Sequence, residues 1–287
     1  MALHRVVYDV AGATLAPGEV AMVGAGPGDP GLLTLKALAL IEQADCLVYD
    51  RLVSAEVMAL ARPDAEAFYV GKASRCHALT QDETNALLVR LARQNRRVVR
   101  LKGGDPYIFG RGGEEAEVLV ANGIAFHAVP GITSAQGCAA YAGFPLTHRD
   151  YAQSVTFVTG HCKSDGKLVL DWQALATPHH TTVFYMGLAN AALISSELMR
   201  AGLAPGHPVA LIERGTTPEQ RRIITTLGDM TAAIEREELV PPTLMVVGEV
   251  VALAETLMPA TLSVPTPSAT PAQVPTLALA PREKVAL

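Results

Sequence analysis

The sequence predicts an α/β protein of two domains, and three observations carry that prediction. Short Val-rich runs bounded by Gly, Pro or Asp alternate with helical segments from Glu19 to about residue 255, the pattern of sheets covered by helices. A Pro130-Gly131 break separates a first series of such elements from a second. The chain has 287 residues, 49% of them hydrophobic, enough for one large core or two domains of roughly 100–150 residues each.

Strands are expected at residues 20–23, 46–49, 98–101, 154–159, 182–186, 209–212 and 244–247. Between them, residues 80–95 predict a helix: Thr80-x-x-Glu83 is a capping box, and Leu87, Leu88, Leu91 and Ala92 follow at helical spacing. Residues 114–122 and 188–201 predict two more, ending at Gly123 and Gly202 as left-handed caps. The expected organisation is an N-terminal extension over 1–17, an N-terminal α/β domain over 18–131, a C-terminal α/β domain over 132–258 and a disordered tail over 259–287. Pro259, Pro265, Pro267, Pro271, Pro275 and Pro281 recur in that tail too closely for helix or sheet. Its removal from residue 260 onward should leave activity unchanged.

Composition narrows the function classes. No apolar run approaches the roughly 20 residues needed to cross a bilayer, and residues 1–15 lack the pattern of a secretory signal. A cytoplasmic protein without membrane attachment is expected. The net charge of −5 argues against nucleic acid as a partner, since phosphate binding needs a basic face. Cys46, Cys76, Cys138 and Cys162 are widely separated, so reduced thiols are expected rather than a metal site or disulfide framework.

After the first strand comes Gly24-Ala25-Gly26-Pro27-Gly28-Asp29-Pro30-Gly31, a loop that lets backbone approach a ligand. It departs from a dinucleotide fingerprint in two ways. The third glycine arrives one residue early, and Pro27 and Pro30 remove amide donors that a pyrophosphate would use. Asp50 nevertheless stands where a ribose-binding acid would sit. Alone, the loop admits a dinucleotide, another nucleotide-like ligand or a plain strand-to-helix turn. A second loop, Lys102-Gly103-Gly104-Asp105-Pro106, follows another strand, and Arg111-Gly112-Gly113-Glu114-Glu115 comes soon after. Arg111 and Glu114, three apart at a helix start, can share one face.

These segments resemble a known family. The two glycine loops, Tyr49-Asp50-Arg51-Leu52-Val53, Val70-Gly71-Lys72, Phe109-Gly110-Arg111-Gly112-Gly113-Glu114-Glu115, Val129-Pro130-Gly131-Ile132-Thr133-Ser134, Pro145-Leu146-Thr147-His148-Arg149-Asp150, Thr159-Gly160-His161, Tyr185-Met186-Gly187 and Pro241-Pro242 are similar, in order, to uroporphyrinogen-III C-methyltransferases of the tetrapyrrole methylase superfamily. The resemblance spans about residues 18–257. It implies the class III methyltransferase fold, two α/β domains with the cofactor in the inter-domain cleft, and a homodimer. It also implies the reaction: methyl groups from two molecules of S-adenosyl-L-methionine pass to C2 and C7 of uroporphyrinogen III, leaving S-adenosyl-L-homocysteine and precorrin-2, a precursor of sirohaem, cobalamin and haem d1.

By the same resemblance, cofactor contacts fall on Pro27, Gly103, Gly104, Asp105, Ile108, Thr133, Ser134, Met186, Gly215 and Thr243. Arg111 and Glu114 are the catalytic candidates. The implied substrate carries eight carboxylates, and Arg51, Lys72, Arg75, Arg111, His148, Arg149 and His161 are the candidate basic groups, arginine being suited to bidentate carboxylate recognition. No metal is expected. Because arginine remains charged at neutral pH, Glu114 or water is the expected proton acceptor, with Arg111 stabilising charge. Three competing readings stand beside this one: a later corrin-ring methylase, an NAD-dependent oxidoreductase and a non-catalytic tetrapyrrole carrier. The first would share the glycine loops but not residues 49–53 and 147–150. The sequence carries no extension large enough for a fused dehydrogenase and ferrochelatase module, so precorrin-2 oxidation is expected to need a separate protein.

Overall fold

The computed structural model describes residues 13–71, 79–161 and 167–258. They form two compact units that divide between Thr133 and Ser134.

The first unit is built on an all-parallel sheet of β1 (Val20–Gly24), β2 (Cys46–Tyr49), β3 (Glu66–Tyr69), β4 (Val98–Lys102) and β5 (Phe126–Val129), in the order β3-β2-β4-β1-β5. In β1 and β4 every residue is buried, as expected when helices cover both faces. Alternation along β1 divides the core in two. Ala21 and Val23 pack with Leu40, Ile41 and Val57 of α1 (Leu35–Ile41) and α2 (Ala55–Met58). Val20 and Met22 pack with Leu88, Leu91 and Leu119 of α3 (Gln81–Arg93) and α4 (Gly112–Ala121). The α3 capping box is present: the Glu83 amide donates to Thr80 Oγ1 at 3.2 Å, and the Thr80 amide donates to Glu83 Oε2 at 2.6 Å.

The second unit begins with α5 (Ser134–Tyr141) and carries a mixed sheet in the order β6-β7-β10-β8-β9. The parallel pair β6 (Ser154–Thr159) and β7 (His180–Tyr185) adjoins antiparallel β10 (Thr243–Val247), which pairs with β8 (Pro208–Glu213); β8 runs antiparallel to β9 (Arg221–Thr226). On one face, α5 supplies Ala135, Cys138 and Ala139, joined by Ala254 of α9 (Ala254–Leu257). On the other, α6 (Trp172–Leu175), α7 (Ala191–Arg200) and α8 (Met230–Arg236) supply Leu175, Ile194, Leu198, Met230 and Ala233.

All seven expected strands are present, with ends displaced by no more than two residues. The strands missed are β3, β5 and β9, and each lies at a sheet edge. The helix expected over 114–122 starts earlier, at Gly112, and that over 188–201 is a 3-10 turn at Leu188–Asn190 followed by α7. Gly123 and Gly202 have φ of +68° and +117°, as expected of left-handed caps. The extension over 1–12 and the tail from 259 lie outside the described residues, as do Lys72, Arg75, Cys76 and Cys162.

Candidate functional site

The order of the first sheet marks the carboxyl end of β4. From β1 and β2 the chain leaves toward the β3 edge, whereas from β4, which lies between them, it leaves toward β5. Adjacent parallel strands whose connections depart in opposite directions open a crevice at their carboxyl ends, where α/β proteins bind ligands. Both glycine loops stand there. They are tied together by backbone: the Ala25 amide donates to Lys102 O at 2.8 Å, the Gly26 amide to Gly104 O at 3.2 Å, and the Gly104 amide to Gly26 O at 2.7 Å. Gly24, Gly104 and Gly131 then pack so closely that a Cβ on Gly24 would lie 2.5 Å from the Gly131 nitrogen and 2.7 Å from Gly104 O.

This pairing bears on the dinucleotide reading. The Ala25, Gly26 and Gly104 amides that would face a pyrophosphate are already engaged, and α1 starts only at Leu35, after a 3-10 turn at Pro30–Leu32. No α-helix therefore begins directly after the third glycine, where a Rossmann site requires one.

Asp105 braces the second loop. Its Oδ1 accepts from the Tyr107 amide at 2.8 Å and its Oδ2 from the Gly131 amide at 3.1 Å. Beyond it, Tyr107, Ile108 and Phe109 stand 53%, 36% and 39% exposed. Phe109 and Arg111 adopt φ of +52° and +58°, a left-handed conformation that costs a non-glycine residue about 1–3 kcal/mol and concentrates at functional sites. Arg111 forms a fork with Glu114, Nε to Oε1 at 2.8 Å and Nη2 to Oε2 at 2.6 Å. Both side chains are about half exposed. Their hydrogen bonds raise the Arg111 pKa and lower that of Glu114. Thr133 is buried, and Pro27 and Gly103 are partly so. Arg51 is exposed, with no side-chain hydrogen bond or ion pair among the described residues.

In the second unit, Met186 is 53% exposed with φ +55°. Arg214 and Thr216, flanking Gly215, have φ of +46° and +65°. Gly215 lies against Cys138, whose Sγ a Cβ would strike. Thr243 is buried and its hydroxyl donates to Val240 O at 2.7 Å, so its side chain is committed within the fold. Ser134 opens α5. Arg149 is exposed without a side-chain partner among the described residues. His148 sits in a tight turn: its Nδ1 accepts from the Asp150 amide at 3.1 Å, and its ring meets that of Tyr151 edge-on at 5.0 Å. His161 is exposed, and its amide donates to Thr159 Oγ1 at 3.2 Å.

Residues 19–231 match the family of tetrapyrrole (corrin/porphyrin) methylases. The chain belongs to that family. Among curated relatives of this chain, the siroheme synthase of Azotobacter vinelandii is 59% identical over 242 residues, 84% of this chain and 52% of that protein. That of Thioalkalivibrio sulfidiphilus is 56% identical over 84% of this chain and 49% of its own length. The chain thus spans about half the length of these relatives. A uroporphyrin-III C-methyl transferase from Thermus thermophilus, solved with S-adenyl homocysteine, is 41% identical with a TM-score of 0.70, over 82% of this chain and 94% of that one. A cobalt precorrin-4 methyltransferase is 27% identical with a TM-score of 0.73, over 82% and 96%.

The chain also holds buried charged groups that were not among the expected site residues. Arg100 and Lys102 of β4 and Glu115 of α4 form a buried charge cluster beneath the Arg111 turn. Two cations in an otherwise aliphatic central strand were the available signal. Elsewhere, a groove of about 630 Å³ lined by Asp82, Arg90 and Arg93 of α3 and Val118 of α4 includes none of the expected site residues. Among the described residues, no helix is long and apolar enough to cross a membrane, and no group of three His, Cys, Asp or Glu side chains is placed to hold a metal.

Proposed function

We propose that this chain transfers methyl groups from S-adenosyl-L-methionine to C2 and C7 of uroporphyrinogen III, forming precorrin-2. The observation that carries this reading is its correspondence with 94% of a solved uroporphyrin-III C-methyl transferase at 41% identity. The local structure fits the cofactor. The paired glycine loops bring side-chain-free backbone to the carboxyl edge of β1 and β4, and in the first unit left-handed backbone holds Phe109 up to solvent next to exposed Ile108, apolar groups suited to an adenosyl group; in the second unit Met186, also left-handed and exposed, is suited to an aliphatic arm. Pro27, Gly103, Gly104, Asp105, Ile108 and Thr133 of the first unit, and Ser134, Met186, Gly215 and Thr243 of the second, are the proposed contacts. Thr243 offers backbone rather than hydroxyl.

When bound, S-adenosylmethionine supplies an electrophilic methyl on a sulfonium. The chain's own task is to orient an electron-rich pyrrole carbon and to receive the proton released afterward. Arg111 stays cationic, since Glu114 raises its pKa, and acts on substrate charge rather than as a base. A substrate carboxylate that takes the Arg111 fork releases Glu114 from its main hydrogen bond. Freed from the contact that lowers its pKa, Glu114 becomes the stronger base just when the proton must leave, with water as the other acceptor. Arg51, Arg149, His148 and His161 are proposed to meet further substrate carboxylates, together with Lys72, which lies outside the described residues. A homodimer in the cytoplasm belongs to the same proposal and rests on family resemblance alone.

The test is anaerobic incubation with uroporphyrinogen III and labelled S-adenosylmethionine, counting methyl groups on the product. Two support the reading, and none refutes it. A second reading, methylation of a later corrin intermediate, draws on the likeness to the cobalt precorrin-4 methyltransferase. Methyl transfer to a corrin but not to uroporphyrinogen III would select it. Arg111→Lys should lower kcat about 10–100-fold, the loss of a bidentate contact worth roughly 1.4–2.8 kcal/mol.

A further inference from the structure

The proposed reaction leaves one cluster without a role. Glu115, in the first turn of α4, has a fully buried side chain, and Lys102 and Arg100 beside it are 4% and 5% exposed. Glu115 Oε1 accepts from Lys102 Nζ at 2.8 Å, from Arg100 Nη2 and Nε at 3.2 and 3.3 Å, and from Gln81 Nε2 at 3.2 Å. Its Oε2, also buried, has no hydrogen-bond partner among the described residues. Arg100 Nη1 donates to Leu101 O at 2.7 Å and lies 3.6 Å from Asp50 Oδ2.

Buried charges arranged in this way are poor stabilisers. Each loses its hydration, and well-packed apolar residues of similar volume are often as good or better. Their position supplies a reason for keeping them. A Cβ on Gly110 would lie 3.1 Å from Lys102 Cε, so the lysine stem runs directly under Gly110. Gly110 in turn separates the two left-handed residues Phe109 and Arg111. The same turn is held on its other side by the Gly112 amide, which donates to Pro106 O at 3.1 Å. The floor of the Arg111 turn is therefore a lysine whose end is clamped to the helix that the turn begins.

We propose that Lys102, anchored by Glu115, is a positioning residue: it fixes the height of the Gly110–Gly112 backbone and thereby the direction of the Arg111 side chain, without touching substrate. An ammonium held by a fully buried carboxylate sets that floor at one depth, whereas a flexible apolar side chain of similar length would let the left-handed turn relax. The inference rests on the proposed role of Arg111, and its test includes a measurement that does not depend on that role.

The variants are Lys102→Met, the double Lys102→Met/Glu115→Gln, and Lys102→Arg. Met keeps the stem length, and the double variant avoids leaving the carboxylate charged and short of a partner, so it serves if the single variant does not fold. In the full chain, hydrogen exchange of the amides at 108–114 should accelerate at least tenfold in the Met variants, with β1 and β5 unchanged. Binding of S-adenosylhomocysteine should stay within about threefold of wild type. With uroporphyrinogen III, kcat should fall about 10–100-fold while KM for S-adenosylmethionine stays within threefold, and Lys102→Arg should restore most of kcat. Wild-type exchange at 108–114 in a folded Met variant overturns the positioning role, whatever the activity. Accelerated exchange with unchanged kcat also overturns it, because the turn would then move without consequence. If the wild-type chain itself does not methylate uroporphyrinogen III, the functional reading falls, and the exchange result alone decides whether Lys102 holds the turn.

Discussion

Replacing Gly24 by Ala tests the construction of the candidate site most directly. Gly24 has no positive φ, so alanine meets no backbone strain there and the whole effect is steric. Its Cβ would stand 2.5 and 2.6 Å from the nitrogen and Cα of Gly131 and 2.7 Å from Gly104 O. Favourable carbon contacts lie near 3.5–4.0 Å, so backbone on two sides must retreat by about 1 Å. That backbone is held by the Gly26–Gly104 pair and by the Asp105 bond to the Gly131 amide. Overpacking of this kind costs about 1–3 kcal/mol, and each strained hydrogen bond adds up to about 1 kcal/mol, so a loss of roughly 2–4 kcal/mol is expected. In urea unfolding followed by far-UV circular dichroism, a slope of about 2 kcal/mol/M converts this to a midpoint lowered by about 1–2 M. Trp172, the chain's single tryptophan, lies in the second unit and monitors it separately by fluorescence. Gly113→Ala is the control, since a Cβ there meets nothing within 4 Å; on a helix it should be neutral or stabilise by up to about 1 kcal/mol. A Gly24→Ala protein within 0.5 kcal/mol of wild type, at unchanged slope, would refute the claim that this contact is closed.

Three more outcomes are expected. Gly215→Ala should destabilise the second unit by about 1–3 kcal/mol through collision with Cys138, and adding Cys138→Ala should recover at least half of that; additive losses in a double-mutant cycle would show that the two do not share the space. Burial lowers the pKa of His127, His180 and His207 below 6.5, so the unfolded chain binds protons that the folded chain refuses. Stability is then complete above about pH 6.5 and declines as pH falls below it, and urea midpoints that stay flat from pH 7.5 to 5.5 would contradict this. Asp45 takes the Arg97 fork at 2.7 and 3.1 Å, and its pKa is lowered to about 2. The stability it contributes is present above about pH 4 and lost as pH falls toward 2; Asp45→Asn should cost about 1–2 kcal/mol at pH 7 and flatten that acid limb, which urea melts at both pH values will show.

Much of the fold was legible because local chemistry and burial agreed. Of the strands buried on both faces, β1 is a continuous apolar run and β4 is aliphatic but for Arg100 and Lys102, and Thr80 with Glu83 announces α3 through a hydrogen-bond exchange spanning four residues. Three of the four edge strands, β3, β5 and β9, were not legible, whereas β6 was. Half-exposed Glu66–Tyr69 and Arg221–Thr226 carry polar residues that break the apolar signal, and their pairing depends on partners elsewhere in the sheet. The site divides along the same line. Glycine loops, the Arg111 and Glu114 spacing and the family to which they belong could all be read from the chain, because close backbone approach and helix-start geometry impose residue types locally. Which glycines meet and why Asp105 is spent on Gly131 were decided only by folding, because parallel strands distant in sequence bring those backbones together; that Lys102 lies beneath Gly110 depends on the left-handed turn that folds the loop back over β4. A contact between remote segments leaves no periodicity in either of them; it exists as a distance, and distance is set by the tertiary structure.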